Sequence, residues 1–369
     1  MAGSTIGNIL RMTTFGESHG EALGCVLDGF PAGMKLSEKD IQPYLNRRRP
    51  GTRSVSTKRT EEDKVEILSG VFQGVTTGAP IAMIIRNKGA NSKDYDALKH
   101  TYRPGHADYT FDAKYAIRDY RGGGRSSGRE TAARVCAGAV CMKLLKEMGI
   151  DVYAYTVSIG DTIVNPDRFD RKLILKTETC MPDKVADAEA KSAIAAAAKL
   201  KDSLGGVIAC AMENVPAGLG DPVFEKLDAS LTKAVMSIGA AKAVEIGRGI
   251  YGAFMDGAAF NDAFVEEDGE IKKVTNNAGG ILGGISDGDT ILLRAFFKPT
   301  PSIAMPQKSV NDKGKNTSLT IKGRHDPVIV PRAVVVVESM CAFTLLDALL
   351  LNMSAKASNV KTFYARPNS

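Results

Sequence analysis

The sequence predicts one domain of mixed strands and helices arranged as two related halves, and three observations carry that expectation. Short apolar runs with strand character alternate with longer helix-like stretches along 369 residues. Apolar residues make up 44% of the chain and charged residues 24%, which suits a globular protein with a substantial core. The third observation is a faint internal repeat. Cys25 to Gly33 resembles Cys210 to Gly218, each an apolar strand turning at Pro-Ala-Gly, and Gly78 to Ile81 loosely matches Gly288 to Ile291. The offsets are 185 and 210, a drift that insertions would produce, so the halves are placed at roughly 1–185 and 186–369.

Taken in order, strands are expected at Cys25 to Phe30, Val65 to Phe72, Ile81 to Arg86, Val152 to Ile159, Val207 to Met212 and Thr290 to Phe297. Helices are expected at Ser37 to Arg47, Thr131 to Met148, Val185 to Ser203, Ala229 to Ala243 and Arg332 to Asn352. Ala186 to Leu200 is rich in Ala, Lys, Asp and Glu, so it should be strongly helical with one exposed face. Pro331 suits the first turn of the last long helix.

The first eleven residues show no secretory signal pattern. The most apolar stretch, Val334 to Met353, is interrupted by Glu338, Ser339, Thr344, Asp347 and Asn352, which argues against a membrane span. Six cysteines without C-x-x-C spacing, several in apolar runs, suggest buried reduced thiols in a cytoplasmic protein. No zinc signature appears, and no metal is expected.

A formal charge of +6 does not by itself call for nucleic acid, but its distribution is uneven. Arg47, Arg48, Arg49 and Arg53 form one cluster, and Arg121, Arg125, Arg129 and Arg134 another. Neither carries interleaved aromatics, tryptophan is absent, and no nucleic-acid-binding motif emerges. Arginines among glycines better suit a small, multiply charged anion gripped by forked donors.

Two of the four histidines lie in Gly/Pro-punctuated polar segments, Thr13 to Gly20 and Tyr102 to Asp108, where loops are expected. His19 and His106 therefore read as candidates for proton transfer near neutrality. The segment Arg121 to Thr131 opens a helical pattern. Three glycines, 122 to 124, allow close approach to a ligand, and Ser127 with Glu130 fits a capping box. A helix start of this kind presents backbone N–H groups to anions. It is neither a dinucleotide fingerprint, which would need glycine at 127, nor a P-loop, because Arg129 and Glu130 follow Gly128. Asn276 to Ser286, Lys298 to Ser302 and Lys322 to Pro327 add glycines, cations and hydroxyls suited to a phosphate-bearing ligand.

Together these segments resemble the chorismate synthase family. Thr13 to Gly20, Arg47 to Gly51, Arg103 to Asp108, Asp119 to Ser127, Gly279 to Ser286 and Lys322 to Pro327 all match its signatures, in order, and the likeness runs from Ile6 to about Lys361. The resemblance implies conversion of 5-enolpyruvylshikimate 3-phosphate to chorismate by 1,4-elimination of phosphate, with reduced FMN required and no net redox change. It implies an α+β fold, a β-α-β sandwich with internal pseudo-two-fold symmetry, assembled as a homotetramer.

By the same resemblance Arg48, Arg103, Arg129 and Arg324 clamp the small-molecule substrate, with Arg49 and Arg134 as further contacts. His19 protonates the departing phosphate, and His106 is a proton donor to the reduced flavin. Ser18, Ser127 and Asp326 organise the flavin and the proton path. FMN contacts map onto Arg125, Ser126, Ser127, Gly239, Ala240, Gly283, Lys298, Thr300, Ser302 and Arg324. Gly239 stands where relatives often have Asn, and Arg53 is offset by one place from the arginine of some relatives. Without the long insertions of relatives that reduce their own flavin, the chain is expected to depend on a separate flavin reductase, an NADPH-dependent system being the source of reductant. The competing readings are a basic module for RNA or another anionic partner, and a flavin-independent lyase or phosphatase on another phosphorylated metabolite.

Overall fold

The computed structural model describes residues 3–51, 53, 55, 62–87, 98–321 and 326–365. Its first sheet contains β1 (Thr5–Ile6), β2 (Arg11–Gly16), β3 (Ala22–Asp28), β4 (Val65–Ile67) and β5 (Ile81–Arg86), side by side as β1-β2-β3-β5-β4. Its second contains β6 (Asp151–Ile159), β7 (Thr162–Ile163), β8 (Gly206–Glu213), β9 (Ala241–Ile246) and β10 (Ile291–Phe297), ordered β9-β10-β8-β6-β7. Every neighbouring pair is antiparallel. Alternation explains the inward faces: Leu23, Cys25 and Leu27 of β3 are buried, as are Ile81, Met83 and Ile85 of β5.

Between the sheets lie α1 (Glu38–Arg48), α3 (Thr131–Glu147), α5 (Leu227–Met236) and α6 (Val330–Asn352); α2 (Asp108–Tyr115) and α4 (Lys184–Lys199) complete the longer helices before α6. Helix α3 packs on β3, β2 and β5, α6 packs on β6 and β8, and the two helices pack on each other. Gly138 makes that crossing possible, because a Cβ there would lie 2.2 Å from the Cβ of Ser339. The expected β-α-β sandwich is thus the observed architecture.

Helix α6 is long and apolar enough to cross a membrane, yet most of it is buried inside the protein. Its two acids explain how. Glu338 accepts both prongs of Arg47 at 2.7 and 2.8 Å and the N–H of Ala154 at 3.1 Å. Asp347 accepts the N–H groups of Asn8, Ile9 and Leu10 at 2.9, 3.0 and 2.9 Å. Buried carboxylates satisfied in this way fasten the helix to the chain around it. All six cysteines are buried thiols, and burial pushes Cys25 up to about 12.

The repeat has a physical counterpart. Strands β2, β3, β5 and β4 adjoin in the same order as β6, β8, β10 and β9. After β3, Gly33 (φ 97°) donates its N–H to Thr76 O at 2.9 Å. The Thr76 hydroxyl donates to Pro31 O at 2.9 Å and accepts from the N–H of Met34 at 3.0 Å. After β8, Gly218 (φ 105°) donates to Ser286 O at 2.8 Å. Ser286 Oγ donates to Pro216 O at 2.7 Å and accepts from the N–H of Leu219 at 2.9 Å. The same three bonds hold each Pro-Ala-Gly turn. The second copy of the pattern opens with β6 at Asp151, well ahead of residue 186.

Several expectations differ from the structure, among them the helix expected from Val185 to Ser203, which ends at Lys199. The helix expected to reach Ala243 stops at Met236; Ala240 takes a left-handed φ of 72°, and Ala241 enters β9. Pairing with β10 overrides local helix propensity there. Val65 to Phe72 breaks at Gly70 (φ 82°) into β4 and a separate hairpin of Val71–Phe72 with Val75–Thr76. The segment beginning at Thr13 is strand up to Gly16 and becomes a loop only beyond it.

Candidate active site

In each half a long connection leaves the third strand of the repeated pattern and enters the long inner helix. Residues 87–130 run from β5 to α3, and residues 298–329 run from β10 to α6. The two connections meet. Lys298 Nζ donates to Gly105 O at 2.8 Å, and His106 Nε2 lies 2.9 Å from Ser302 Oγ.

The environment of His106 sets its tautomer. Nδ1 lies 3.0 Å from the carbonyl of Pro104, which can only accept, so Nδ1 carries the hydrogen. In the neutral ring Nε2 then accepts from the Ser302 hydroxyl. Burial, with Arg103 next and Lys298 also contributing, lowers the His106 pKa to about 4, partly opposed by the Pro104 carbonyl. Burial also lowers the Lys298 ammonium, and Lys242 adds to the effect.

Arg103 stands between the two histidines. Its Nε and one terminal nitrogen grip Asp108 at 2.8 and 2.7 Å, and the same terminal nitrogen donates to Gly122 O at 3.1 Å. Its carbonyl accepts the N–H of His106 at 3.2 Å. Burial favours protonated Asp108, but Arg103 overcomes it and holds the carboxyl below the usual range. On the other side of Gly122 lies the imidazole of His19. A Cβ at position 122 would fall 2.5 Å from His19 Nδ1 and 2.9 Å from Ser18 Oγ, so only glycine fits. Ser18 Oγ lies 3.2 Å from His19 Nδ1. Asp119 is held low chiefly by its hydrogen bond from Arg121, with His19 a smaller contribution.

The helix entry differs from the expected capping box. Ser127 Oγ accepts the N–H of Arg129 at 3.3 Å, capping a 3-10 turn at Gly128–Glu130, and α3 starts only at Thr131. Glu130 does not reach back, because its carboxylate takes Thr14 Oγ1 at 2.7 Å and Arg134 Nε at 2.7 Å. Arg134 also donates to Ser237 Oγ at 2.5 Å. Arg125 turns toward β2, donating to Gly16 O at 3.0 Å and Thr14 Oγ1 at 2.6 Å.

A second cationic group centres on Asp63. Arg48, 2% exposed, donates to one oxygen of Asp63 at 2.5 Å, and Arg129 donates to the other at 2.7 Å. Burial would raise the Asp63 pKa, but these two guanidinium groups hold it low. Arg332 joins them, donating to Arg48 O at 3.0 Å and pairing with Asp326. Arg49 directly follows α1, its N–H bonded to Leu45 O at 3.0 Å. Arg53 donates to Thr177 O at 2.6 Å, away from Asp63.

Most of the expected FMN contacts form one neighbourhood. A Cβ at Gly239 would lie 3.8 Å from Ser126 O, and the N–H of Lys298 donates to Ala240 O at 3.0 Å. Among the described residues, Thr300 Oγ1 is buried without a hydrogen-bond partner. Gly283 stands apart. Its neighbour Gly284 receives the first N–H of α5, whereas Gly239 follows the last turn, and ten helical residues span about 15 Å. Arg324 lies outside the described residues. A cavity of about 1010 Å³ borders the neighbourhood, lined by Thr14, Glu17, Gly122, Arg125, Ser126 and Ser237 among others. A phosphate-bearing ring compound fits this donor set: Lys298, exposed Ser126, the unpartnered Thr300 hydroxyl and bare glycine backbone at Gly124 and Gly128.

Sequence reasoning missed Asp63 and Asn87. Asn87 Oδ1 accepts Arg129 Nε at 2.6 Å, and its Nδ2 donates to Glu17 O at 3.0 Å and Gly20 O at 2.8 Å. Neither residue sits in a local pattern, and a polar residue ending the β5 run was the only available signal.

Comparisons with known proteins agree with this geometry. The family model described as chorismate synthase matches residues 10–350. A chorismate synthase of Agathobacter rectalis is 54% identical over 366 residues, 99% of this chain and 100% of that one. One from Methanocella arvoryzae is 51% identical over 355 residues, 95% of each chain. A crystal structure of chorismate synthase superposes with a TM-score of 0.76 at 35% identity, covering 97% of this chain and 96% of its own. The comparisons favour neither competing reading of the sequence, and the chain belongs to the chorismate synthase family.

Proposed function

We propose that the meeting point of the two connections is where this chain performs its lyase reaction, the 1,4-elimination of phosphate from 5-enolpyruvylshikimate 3-phosphate to give chorismate. The observation that carries the reading is Arg103, bonded to the carbonyl of Gly122 beside His19 and, through its own carbonyl, to His106. The substrate bears two carboxylates and a phosphate of about −1.5 to −2 charge, so several convergent cations must neutralise it. Arg48, Arg103 and Arg129 serve as clamps, with Arg49, Arg134 and Arg324 as further contacts. Asp63 pre-orients two of them, which reduces reorganisation when the anion arrives.

His19 delivers the proton to the leaving phosphate, with Ser18 fixing the ring. Reduced FMN, when bound, would supply transient electron density and an acceptor for the ring proton. Arg125, Ser126, Ser127, Gly239, Ala240, Lys298, Thr300, Ser302 and Arg324 would hold it, with Gly283 a more distant contact. His106 is held neutral by burial and by the nearby charges of Arg103 and Lys298, against a smaller opposing pull from Asp108. An anionic ligand beside those cations raises the affinity of Nε2 for a proton, so His106 becomes a proton donor only in the loaded site. Asp326 orients Arg332 against the Arg48 backbone.

The working protein is read as a cytoplasmic homotetramer of single domains with two related halves. A separate flavin reductase or other NADPH-dependent system supplies its reductant. The test is anaerobic turnover of the substrate with chemically reduced FMN, following chorismate absorbance and phosphate together. Equal amounts of both, absent with oxidised FMN, are expected; no product from folded, flavin-binding protein would overturn the reading. A repeat with NADPH alone tests for intrinsic flavin reduction.

A further inference from the structure

We propose that Asn87 is a positioning residue that couples the His19 loop to Arg129, so that the proton donor and an anion clamp are set by one side chain. The inference rests on the reading of His19 and Arg129 given above. Asn87 follows β5, and its N–H extends the β3–β5 ladder by one rung, donating to Glu21 O at 2.9 Å. That rung fixes the backbone from which the side chain projects. The carboxamide then spans a tight loop. Its Nδ2 donates to Glu17 O at 3.0 Å and to Gly20 O at 2.8 Å, the two ends of the four residues that carry Ser18 and His19. The loop closes on itself with a weaker bond, Gly20 N–H to Glu17 O at 3.2 Å.

The other end of the amide points to the anion clamps. Oδ1 accepts Arg129 Nε at 2.6 Å, while a terminal nitrogen of the same guanidinium holds Asp63 at 2.7 Å. Both neighbours of Nδ2 are carbonyl oxygens, and the neighbour of Oδ1 is an N–H. Only one orientation of the amide satisfies all three contacts. No other side chain of this size offers two donors and an acceptor in that geometry. Aspartate could still accept from Arg129 but would set a carboxylate against two carbonyl oxygens. Leucine, nearly the same size, would lose all three bonds. A shift at Arg129 therefore reaches the His19 loop through a single planar group, and displacement of a catalytic group by about 1 Å costs roughly 10²-fold in rate.

The test separates the two ends of the amide. In the anaerobic assay with chemically reduced FMN, Asn87→Asp is expected to keep KM within about threefold, because Arg129 remains anchored, while kcat falls about 10²-fold. Asn87→Leu is expected to lose kcat to the same extent and to raise KM about tenfold as well. Asn87→Leu, which adds no charge, should also displace the pH dependence of kcat and the imidazole titration of His19 followed by NMR, which a scaffold role would leave unmoved. Unchanged kcat in both variants, or equal KM in the two, would overturn the proposal. If the variants do not fold, the wild-type protein carries the test: the Asn87 side-chain amide protons should exchange slowly and shift when the substrate binds, and fast exchange without a shift would count against it. His19→Ala in the same assay distinguishes the failures. Turnover retained by His19→Ala sinks the reading of His19, whereas turnover lost there but kept by both Asn87 variants sinks the coupling alone.

Discussion

The two halves of the molecule are most alike where nothing reactive happens and least alike where the site forms. At the Pro-Ala-Gly turns, Thr76 and Ser286 make the same bonds in each half. At the connections that follow β5 and β10, the halves share a place in the topology, but the described residues differ. The first contributes Arg103, His106, Arg125, Ser127 and Arg129; the second contributes Lys298, Thr300, Ser302 and Asp326. The repeated scaffold brings two unlike loops together, and their difference sets the proposed acid–base and anion-binding residues within a symmetric frame. The two histidines, both from the first half, sit in unlike surroundings: His19 has the carboxylate of Asp119 as a charged neighbour, whereas His106 is buried among Arg103, Asp108 and Lys298.

The strongest break in that comparison is removal of either ring. His19→Ala and His106→Ala are expected to lose about 10²–10⁴-fold in turnover while staying folded, measured with pre-reduced flavin so that reductase supply is not limiting. Near-normal rates in either variant would remove that histidine from the proton path.

A smaller effect concerns pH. The folded-state pKa of His106 lies near 4, below the ordinary value of 6.5, so the unfolded chain binds the extra proton between those values. The contribution of a neutral, buried His106 to stability is therefore present above pH 6.5 and lost as pH falls through about 4. Thermal midpoints of the unliganded protein should decline across that window, and less so in His106→Ala. Identical profiles would show that His106 does not titrate as its surroundings require. NMR should also find this imidazole titrating near pH 4 in the free protein and higher once FMN is bound.

The smallest expected effects test the symmetric frame. Thr76→Val and Ser286→Ala each remove a hydroxyl that bridges a turn, and each should cost about 1–3 kcal/mol of stability. Turnover of the folded fraction should stay the same. Unequal costs, or a fall in kcat from either one, would break the equivalence of the turns.

Much of this was legible in the sequence, for reasons that can be stated. Ile81 to Arg86 and Thr131 to Met148 were placed within a residue because their patterns are local. Arg103, His106 and Arg125 could be named because their segments carry a family's signatures, and Ser302 because the resemblance maps an FMN contact onto it. Asp63 and Asn87 could not, since one lies in an ordinary acidic run and the other closes a strand. Apart from Arg48, 15 residues from Asp63, their partners, Arg129 and the His19 loop, are 42 to 70 residues away. The end of α5 was misread because Ala240 carries a left-handed backbone that its side chain does not advertise.

The most direct test of the central claim is a double-mutant cycle across the meeting point, kcat/KM for His106→Ala, Ser302→Ala and the pair, with chemically reduced FMN and no oxygen. If the connections build one site, the cost of the double variant should fall well short of the sum of the two single costs, because Ser302 is bonded to Nε2. Costs that simply add would contradict it and show that the two loops act separately.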